Sequence, residues 1–337
     1  MYEKGRVVFF GSGDFPIATF KSLMVSDNCE VVGLVTSKDK PVFGNERLID
    51  IAKENGIPFY IPENLTDAEF LNWLDELNAD IFCVISYKFL PKEVIDKCKG
   101  VAFNVHASLL PYLRGAAPIN WAIRLGFKET GLTVFKLNDK IDCGAIIHSS
   151  SMKIDENETF GSLYGKLTDY CDLITDNIIG NLLNGKLTAN VTQGSIPSEF
   201  AKLPVFHAPK LNIENTTMRF NENEKPSTIT VDRMIRSLSP NIGTTFNMEI
   251  RDHDTIVKKL TFKVYDASIK KDKNNQFDNN DIITDWKNYL YLSFSLSDND
   301  VISIRKIQLP GKKILDIKEF LKGFQNFRNP SYTYKLC

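Results

Sequence analysis

The 337-residue sequence lacks several features, and each absence narrows its reading. No stretch reaches the roughly eighteen consecutive apolar residues of a membrane helix, so no membrane partner is expected. Cys29, Cys83, Cys98, Cys143, Cys171 and Cys337 form neither a Cys-x-x-Cys pair nor a Cys/His ligand spacing, which argues against a zinc or disulfide framework and for reduced thiols. No metal is expected. Met1 to Arg6 lead directly into a strand-like run with no room for a signal peptide, which implies a cytoplasmic location. No internal repeat is visible. A 43% hydrophobic and 25% charged composition excludes a disordered or fibrous chain.

The formal net charge of −1 hides an asymmetry. From Lys210 onward there are 21 Lys/Arg against 16 Asp/Glu, whereas the preceding residues carry 20 against 26. Such a skew permits a polyanion-binding second half, though an ordinary solvated surface carries one as readily.

In the first half, apolar strand-like runs alternate with amphipathic stretches. Arg6–Gly11, Glu30–Val35, Asp80–Ser86 and Val101–His106 read as strands, and the runs VVFF, VVGLV and IFCVI are almost continuously apolar, as strands covered on both faces are. Helices fit Phe15–Met24, Asn45–Asn55, Asp67–Leu77, Pro91–Lys97 and Pro118–Leu125; strands Leu132–Leu137 and Ala145–Ile154 follow, then a long helix from about Thr159 to Leu183. This alternation predicts an α/β, doubly wound, mostly parallel Rossmann-like sheet over 1–187. Periodicity fades from Thr188 to Pro209, where Gly194, Pro197, Pro204 and Pro209 mark a linker. Beyond it, a helix over Ser227–Leu238 precedes strands at Thr244–Ile250, Leu260–Asp266, Asn288–Phe294 and Val301–Leu309, which predicts a small OB-like β-barrel over 210–337. Lys270–Asp281 reads as a solvated loop.

Gly11-Ser12-Gly13 follows the first strand, where doubly wound folds bind anionic or polar ligands. The dinucleotide fingerprint is incomplete: Pro16 stands in place of the third glycine and the second strand runs into Ser37-Lys38 instead of an acid. A tight turn packing strand against helix is the expectation. The chemistry points elsewhere. Strand alternation puts Asn104 and His106 on one face at the end of Val101–His106, and Ser108-Leu109-Leu110-Pro111-Tyr112-Leu113-Arg114-Gly115 follows at once.

Asn-x-His followed by SLLPxxRG resembles the formyltransferases that use 10-formyltetrahydrofolate. The resemblance extends to Asp142 in Asn138-Asp139-Lys140-Ile141-Asp142-Cys143-Gly144, to Gly115-Ala116-Ala117-Pro118-Ile119-Asn120-Trp121, to Glu129-Thr130-Gly131, to Ala208-Pro209-Lys210-Leu211 and to Leu309-Pro310-Gly311-Lys312-Lys313. It covers nearly the whole chain and is strongest toward members that act on methionine carried by initiator tRNA. It implies Asn104, His106 and Asp142 as catalytic residues. It also implies 10-formyltetrahydrofolate as co-substrate, lying along Ser108, Leu109, Leu110 and Pro111 and the turn bearing Ser86, Tyr87, Phe89 and Leu90, largely on backbone groups. Cys143 adjoins Asp142 but has no base at motif spacing, and no nucleophilic role is assigned to it.

Formyl transfer starts when a neutral amine attacks the formyl carbon, creating an oxyanion and a positive nitrogen. Asn104, and His106 if protonated, can donate hydrogen bonds to the oxygen, a fixed donor being worth on the order of 3 kcal/mol. Asp142 can orient the imidazole and accept the amine's proton directly or through water, provided its loop folds back over the strand. Three acceptor readings stand: initiator Met-tRNA gripped by the C-terminal domain of a monomeric enzyme, an amino sugar attached to a nucleotide, or RNA binding without catalysis. The departure that bears on them is the segment from Ser37 to Arg47, shorter than the basic Gly-Arg-Gly-Lys-Lys type of loop usual in the tRNA enzymes.

Overall fold

The computed structural model describes residues 4–37, 47–189, 191–193, 207–220, 226–271, 282–294, 300–324, 328–329 and 331–337. Two compact units divide the chain. The first comprises Met1–Pro118, Lys128–Lys153 and Leu163–Pro209, and the second Ile119–Phe127, Ile154–Ser162 and Lys210–Cys337.

Up to residue 208 the elements are, in chain order, β1 (Gly5–Gly11), α1 (Ile17–Met24), β2 (Cys29–Val35), α2 (Leu48–Glu54), β3 (Phe59–Tyr60), α3 (Ala68–Leu77), β4 (Ile81–Ile85), α4 (Lys92–Ile95), β5 (Val101–His106), β6 (Arg114–Gly115), α5 (Pro118–Leu125), β7 (Glu129–Lys136), β8 (Ile146–Lys153), α6 (Phe160–Leu183) and β9 (His207–Ala208). The main sheet runs β3-β2-β1-β4-β5-β7-β8. Its first five strands are parallel, and β7 and β8 join antiparallel. A parallel return needs a crossover of a dozen or more residues, which residues 137–145 between β7 and β8 are too few to supply.

Helices on both faces explain the apolar runs. Val8 and Phe10 of β1 share a core with Phe82 and with Phe70 and Leu74 of α3. Phe9, pointing the other way, meets Phe20 of α1 with ring centroids 5.1 Å apart. On that side the Thr19 hydroxyl donates to Sγ of Cys171 in α6 at 3.7 Å. Burial pushes the Cys171 thiol up to about 11 and raises Cys83 well above its ordinary value, so neither is a ready nucleophile. The glycine turn after β1 ties strand ends together: the Ser12 N–H donates to the Ser86 carbonyl at 3.1 Å, and the Ser12 and Ser37 hydroxyls lie 2.8 Å apart.

The second unit continues with α7 (Ile213–Thr216), α8 (Thr228–Leu238), β10 (Thr244–Asp252), β11 (Thr255–Lys271), β12 (Ile282–Thr284), β13 (Leu290–Leu292), β14 (Asp300–Gln308), β15 (Leu315–Asp316), α9 (Ile317–Gly323) and β16 (Tyr332–Leu336). Its strands pair antiparallel in the order β12-β13-β14-β11-β10-β16, with β15 on β14. Register shifts around Asp266 in β11 bend the sheet. The edge strands β12 and β16 approach each other, leaving a nearly closed barrel around Phe246, Phe262, Leu292, Ile302 and the buried α8 side chains Val231, Ile235 and Leu238. Most of α5 belongs with this unit. The Asn120 amide donates to the Ser237 carbonyl at 2.7 Å and the Arg124 guanidinium to the Asn215 carbonyl at 2.6 Å. Burial lowers Arg124 to about 10.

Phe82 is fully buried at the centre of the main sheet, 5.1 Å from the Phe10 ring. Phe82→Ala is expected to cost about 3–5 kcal/mol of stability, read from urea denaturation.

Candidate active site

β5 carries the first two candidate groups to the carboxyl end of the parallel strands, where doubly wound sheets place their ligands. Asn104 lies between Val84 and Phe135, and His106 lies opposite Thr133. The Asn104 side chain is half-buried and makes no hydrogen bond with any described residue, which leaves its amide free to donate. His106 is only 6% exposed and is fixed. Its Nε2 lies 2.9 Å from the Leu113 carbonyl oxygen, which can only accept, so Nε2 carries the hydrogen. In the neutral ring Nδ1 therefore presents a lone pair, and only the imidazolium would donate there. This Nδ1 faces Asp142, whose Oδ2 is 3.8 Å away, too far for a direct hydrogen bond.

Asp142 arrives by a fold-back. The 137–145 segment leaves β7 beside Ala102 and Phe103, with the Leu137 N–H donating to the Ala102 carbonyl at 2.8 Å. That is three to four residues upstream of His106, roughly 10 Å along the strand, so the segment must return to bring the carboxylate to the imidazole. Asp142 completes the return in the left-handed region at φ 50°, and its Oδ2 accepts the Gly115 N–H at 2.9 Å. Gly115 is itself constrained, with φ 117° and a hypothetical Cβ that would lie 2.7 Å from the Ala208 carbonyl oxygen. Arg114–Gly115 (β6) pairs parallel with His207–Ala208 (β9), so a glycine is what that contact admits. Ser86, Leu113 and Asp142, all non-glycine residues near the site, have φ of 52°, 57° and 50°. Conformations of that kind cost of order 1–3 kcal/mol each and persist where the surroundings over-determine them.

The loop expected to meet the co-substrate is built from within. The Ser108 hydroxyl donates to the Tyr112 carbonyl at 2.6 Å. The Thr133 hydroxyl donates to the Ser108 carbonyl at 2.7 Å and accepts the Leu110 N–H at 3.1 Å. Leu110, Pro111 and Leu90 are buried, while Leu109 and Tyr87 are half-buried and Ser86 is exposed. Phe89 is 47% exposed. The Tyr87 ring packs against Phe10 at 5.8 Å, with its hydroxyl 3.4 Å from the Thr36 carbonyl. Of the residues assigned to the co-substrate, Ser86, Phe89, Leu109 and Tyr87 thus offer side-chain surface, whereas Ser108 and the buried apolar residues can offer only backbone. Arg114 binds Gln193, its Nε and Nη2 donating to Oε1 at 3.2 and 2.6 Å. Thr133 and Gln193 were not singled out by sequence reasoning. Thr133 sits inside an apolar strand pattern, and Gln193 lies in a stretch without periodicity.

An unspent amide, an imidazole with a lone pair toward a carboxylate, and that carboxylate folded over it suit a transferase that manages a carbonyl under attack by an amine. The family models narrow that class. The model described as formyl transferase matches residues 5–172, and that of the formyl transferase C-terminal domain matches 218–325. Methionyl-tRNA formyltransferase of Flavobacterium johnsoniae is 30% identical over 326 residues, 95% of this chain and 96% of that protein. The same enzyme of Parabacteroides distasonis is 32% identical over 329 residues, 96% of this chain and 97% of its own, and that of Clostridioides difficile 31% over 327, covering 94% and 96%. The chain belongs to the formyltransferase family, and its two halves match the full length of the methionyl-tRNA formyltransferases among its relatives. Among solved structures, a sugar 3N-formyl transferase in the presence of dTDP and 5-N-formyl-THF matches with TM-score 0.60 at 17% identity over 92% of this chain and 100% of its own. An N-formyltransferase of Helicobacter canadensis with folinic acid and dTDP-3-aminofucose matches with TM-score 0.61 at 16% identity, over 90% and 99%. These two share the fold.

Two outcomes are expected here. His106→Ala and Asp142→Ala each lower turnover by about 10²–10⁴-fold while the protein stays folded, checked by circular dichroism, and near-normal turnover in either would show that its role is misassigned. Thr133→Val strips the partners from the buried Ser108 carbonyl and Leu110 N–H and costs about 1–3 kcal/mol by denaturant titration.

Proposed function

We propose that this chain transfers the formyl group of 10-formyltetrahydrofolate to the amino group of methionine on initiator tRNA, as a monomer in the cytoplasm. The observation that carries the reading is the approach of Asp142 to His106, two residues beyond Asn104 on β5, in a chain whose both halves match methionyl-tRNA formyltransferases end to end. The co-substrate supplies the activated formyl group. A folate brings a flat heterocycle with polar edges, and the residues present fit it: Phe89, Leu109 and Tyr87 offer apolar surface, and Thr133, by tying up the Ser108 carbonyl and the Leu110 N–H, fixes the loop whose remaining backbone groups can meet those edges.

Each protein group then has a task set by its surroundings. The Asn104 amide, unspent on any described residue and carried on an inner strand of the sheet, donates to the carbonyl oxygen as negative charge grows there. As the amine attacks, its nitrogen becomes positive and acidic. The Asp142 carboxylate and the His106 Nδ1 lone pair sit side by side to take up that proton and to return it to the departing tetrahydrofolate nitrogen as its bond to the formyl carbon breaks. The Leu113 carbonyl keeps the ring's other hydrogen on Nε2 and so fixes which nitrogen faces the reaction.

The acceptor assignment rests on the full-length relatives and on the second unit. Lys210, Lys258, Lys312 and Lys313 are exposed, a distribution suited to a phosphate backbone. Residues 38–46, which contain most of the short loop between Ser37 and Arg47, lie outside the described residues. A single-turnover experiment with 10-formyltetrahydrofolate and either Met-tRNA or amino-sugar nucleotides tests the reading. Formylated Met-tRNA is expected, with an apparent affinity that weakens steeply as salt rises. Transfer to the sugars alone, or RNA binding without transfer, would overturn it.

A further inference from the structure

The segment before residue 194 supplies a side chain to the site that neither the motif strings nor the catalytic trio includes. Gln193 is half-buried, and its amide is used at both ends. Oε1 accepts from Nε and Nη2 of Arg114 at 3.2 and 2.6 Å, and Nε2 donates to the Gly144 carbonyl at 2.8 Å. These two partners belong to the two strips of chain whose alignment determines where the Asp142 carboxylate stands. Arg114 immediately precedes Gly115, whose N–H holds Oδ2 of Asp142 at 2.9 Å. Gly144 lies two residues past Asp142, where the folded-back segment rejoins the sheet. Two residues before Gln193, the Val191 carbonyl accepts the Ile146 N–H at 2.7 Å, so the same short stretch also fastens the start of β8.

We infer that Gln193 is a positioning residue for formyl transfer, a cross-brace between Arg114 and Gly144 that holds the Asp142 carboxylate opposite Nδ1 of His106. The physical need is specific. Asp142 stands in a left-handed conformation at φ 50°, which its own backbone does not favour, and its loop has been turned back along the strand from which it came. The hydrogen bond from Gly115 fixes the carboxylate to β6, but only while β6 and the loop keep their spacing. Gln193 supplies that spacing from the side. A glutamine is suited to the place because it accepts at one end and donates at the other. A glutamate would keep the arginine contact and present an oxygen to the Gly144 carbonyl, where two acceptors repel. The Gln193 amide bonds Arg114 and Gly144 and not His106 or Asp142, so its effect on chemistry passes through geometry, and displacements near 1 Å in such sites cost up to about a hundredfold in rate.

The inference rests on the formyltransferase reading, and the test separates the two. Wild-type protein is first assayed for transfer from 10-formyltetrahydrofolate to Met-tRNA; absence of transfer there counts against the function, not against the brace. Gln193→Ala and the nearly isosteric Gln193→Glu are then compared with wild type. Expected is a fall in kcat of about ten- to a hundredfold in both, with KM for either substrate moving less than about threefold and the melting transition unchanged. Independently of activity, the imidazole ¹⁵N resonances of His106, one of four histidines and therefore assignable, should shift in both variants although no substituted atom touches the ring. Unchanged kcat together with unchanged His106 resonances in both variants would overturn the inference. So would a loss of kcat that only follows a lowered melting transition, or that appears solely as weakened folate affinity with His106 unmoved.

Discussion

The site depends on one return of the chain: the stretch between β7 and β8 leaves the sheet beside the beginning of β5 and comes back to set a carboxylate 3.8 Å from an imidazole near the end of that strand. Ionic attraction between those two groups does not hold the arrangement, because at that separation it is modest and there is no hydrogen bond between them. Backbone chemistry holds it. The Gly115 N–H grips the carboxylate, the pairing of β6 with β9 holds Gly115, and the Gln193 amide spans the remaining gap.

That construction gives the reacting groups different freedoms. His106 is clamped through Nε2 and buried, so its remaining nitrogen has a defined direction. Asn104 is held only by its strand and keeps its amide unspent. The three left-handed residues, Ser86, Leu113 and Asp142, lie where the chain must aim a carbonyl or a carboxylate inward. The Leu113 carbonyl goes to the imidazole and the Ser86 carbonyl to the turn after β1. Their backbone strain is offset by packing elsewhere in the doubly wound sheet, which is rigid because helices bury both of its faces.

Much of this architecture is legible from residue patterns alone. VVFF and IFCVI read as strands buried on both faces, and the alternation of Val8 and Phe10 toward α3 with Phe9 toward α1 is the reason. Val101–His106 and Pro118–Leu125 coincide with β5 and α5. The pattern falls short where burial and backbone pairing part company. Leu260–Asp266 is only the middle of β11, which begins at Thr255 with five exposed residues that pair with β10 through their backbone and runs on past buried Ala267 to Lys271, into the stretch that reads as a solvated loop. The expected strand at Asn288 starts at Leu290 because Asp285 gathers the N–H groups of Lys287, Asn288 and Tyr289 into a turn. β16 carries an alternating Tyr332, Tyr334, Leu336 pattern too short to mark a strand by itself, and its pairing with β10 makes it one.

By itself the sequence determined the strongly patterned elements, β1, β2, β4, β5, α5 and α8 among them, and it carried the Asn104, His106 and Asp142 strings by which the family is known. Those properties are local, set by hydrophobic period, turn residues and motif spacing within a few residues. Only the tertiary structure decided that the Asp142 loop turns back, that the neutral ring of His106 carries its hydrogen on Nε2, that Ser108 spends its hydroxyl on its own loop and that Gln193 reaches both Arg114 and Gly144. Each of these is a hydrogen bond whose partner is chosen by three-dimensional proximity, most of them between residues far apart in the chain, and no pattern of neighbouring residues encodes which donor will find which acceptor.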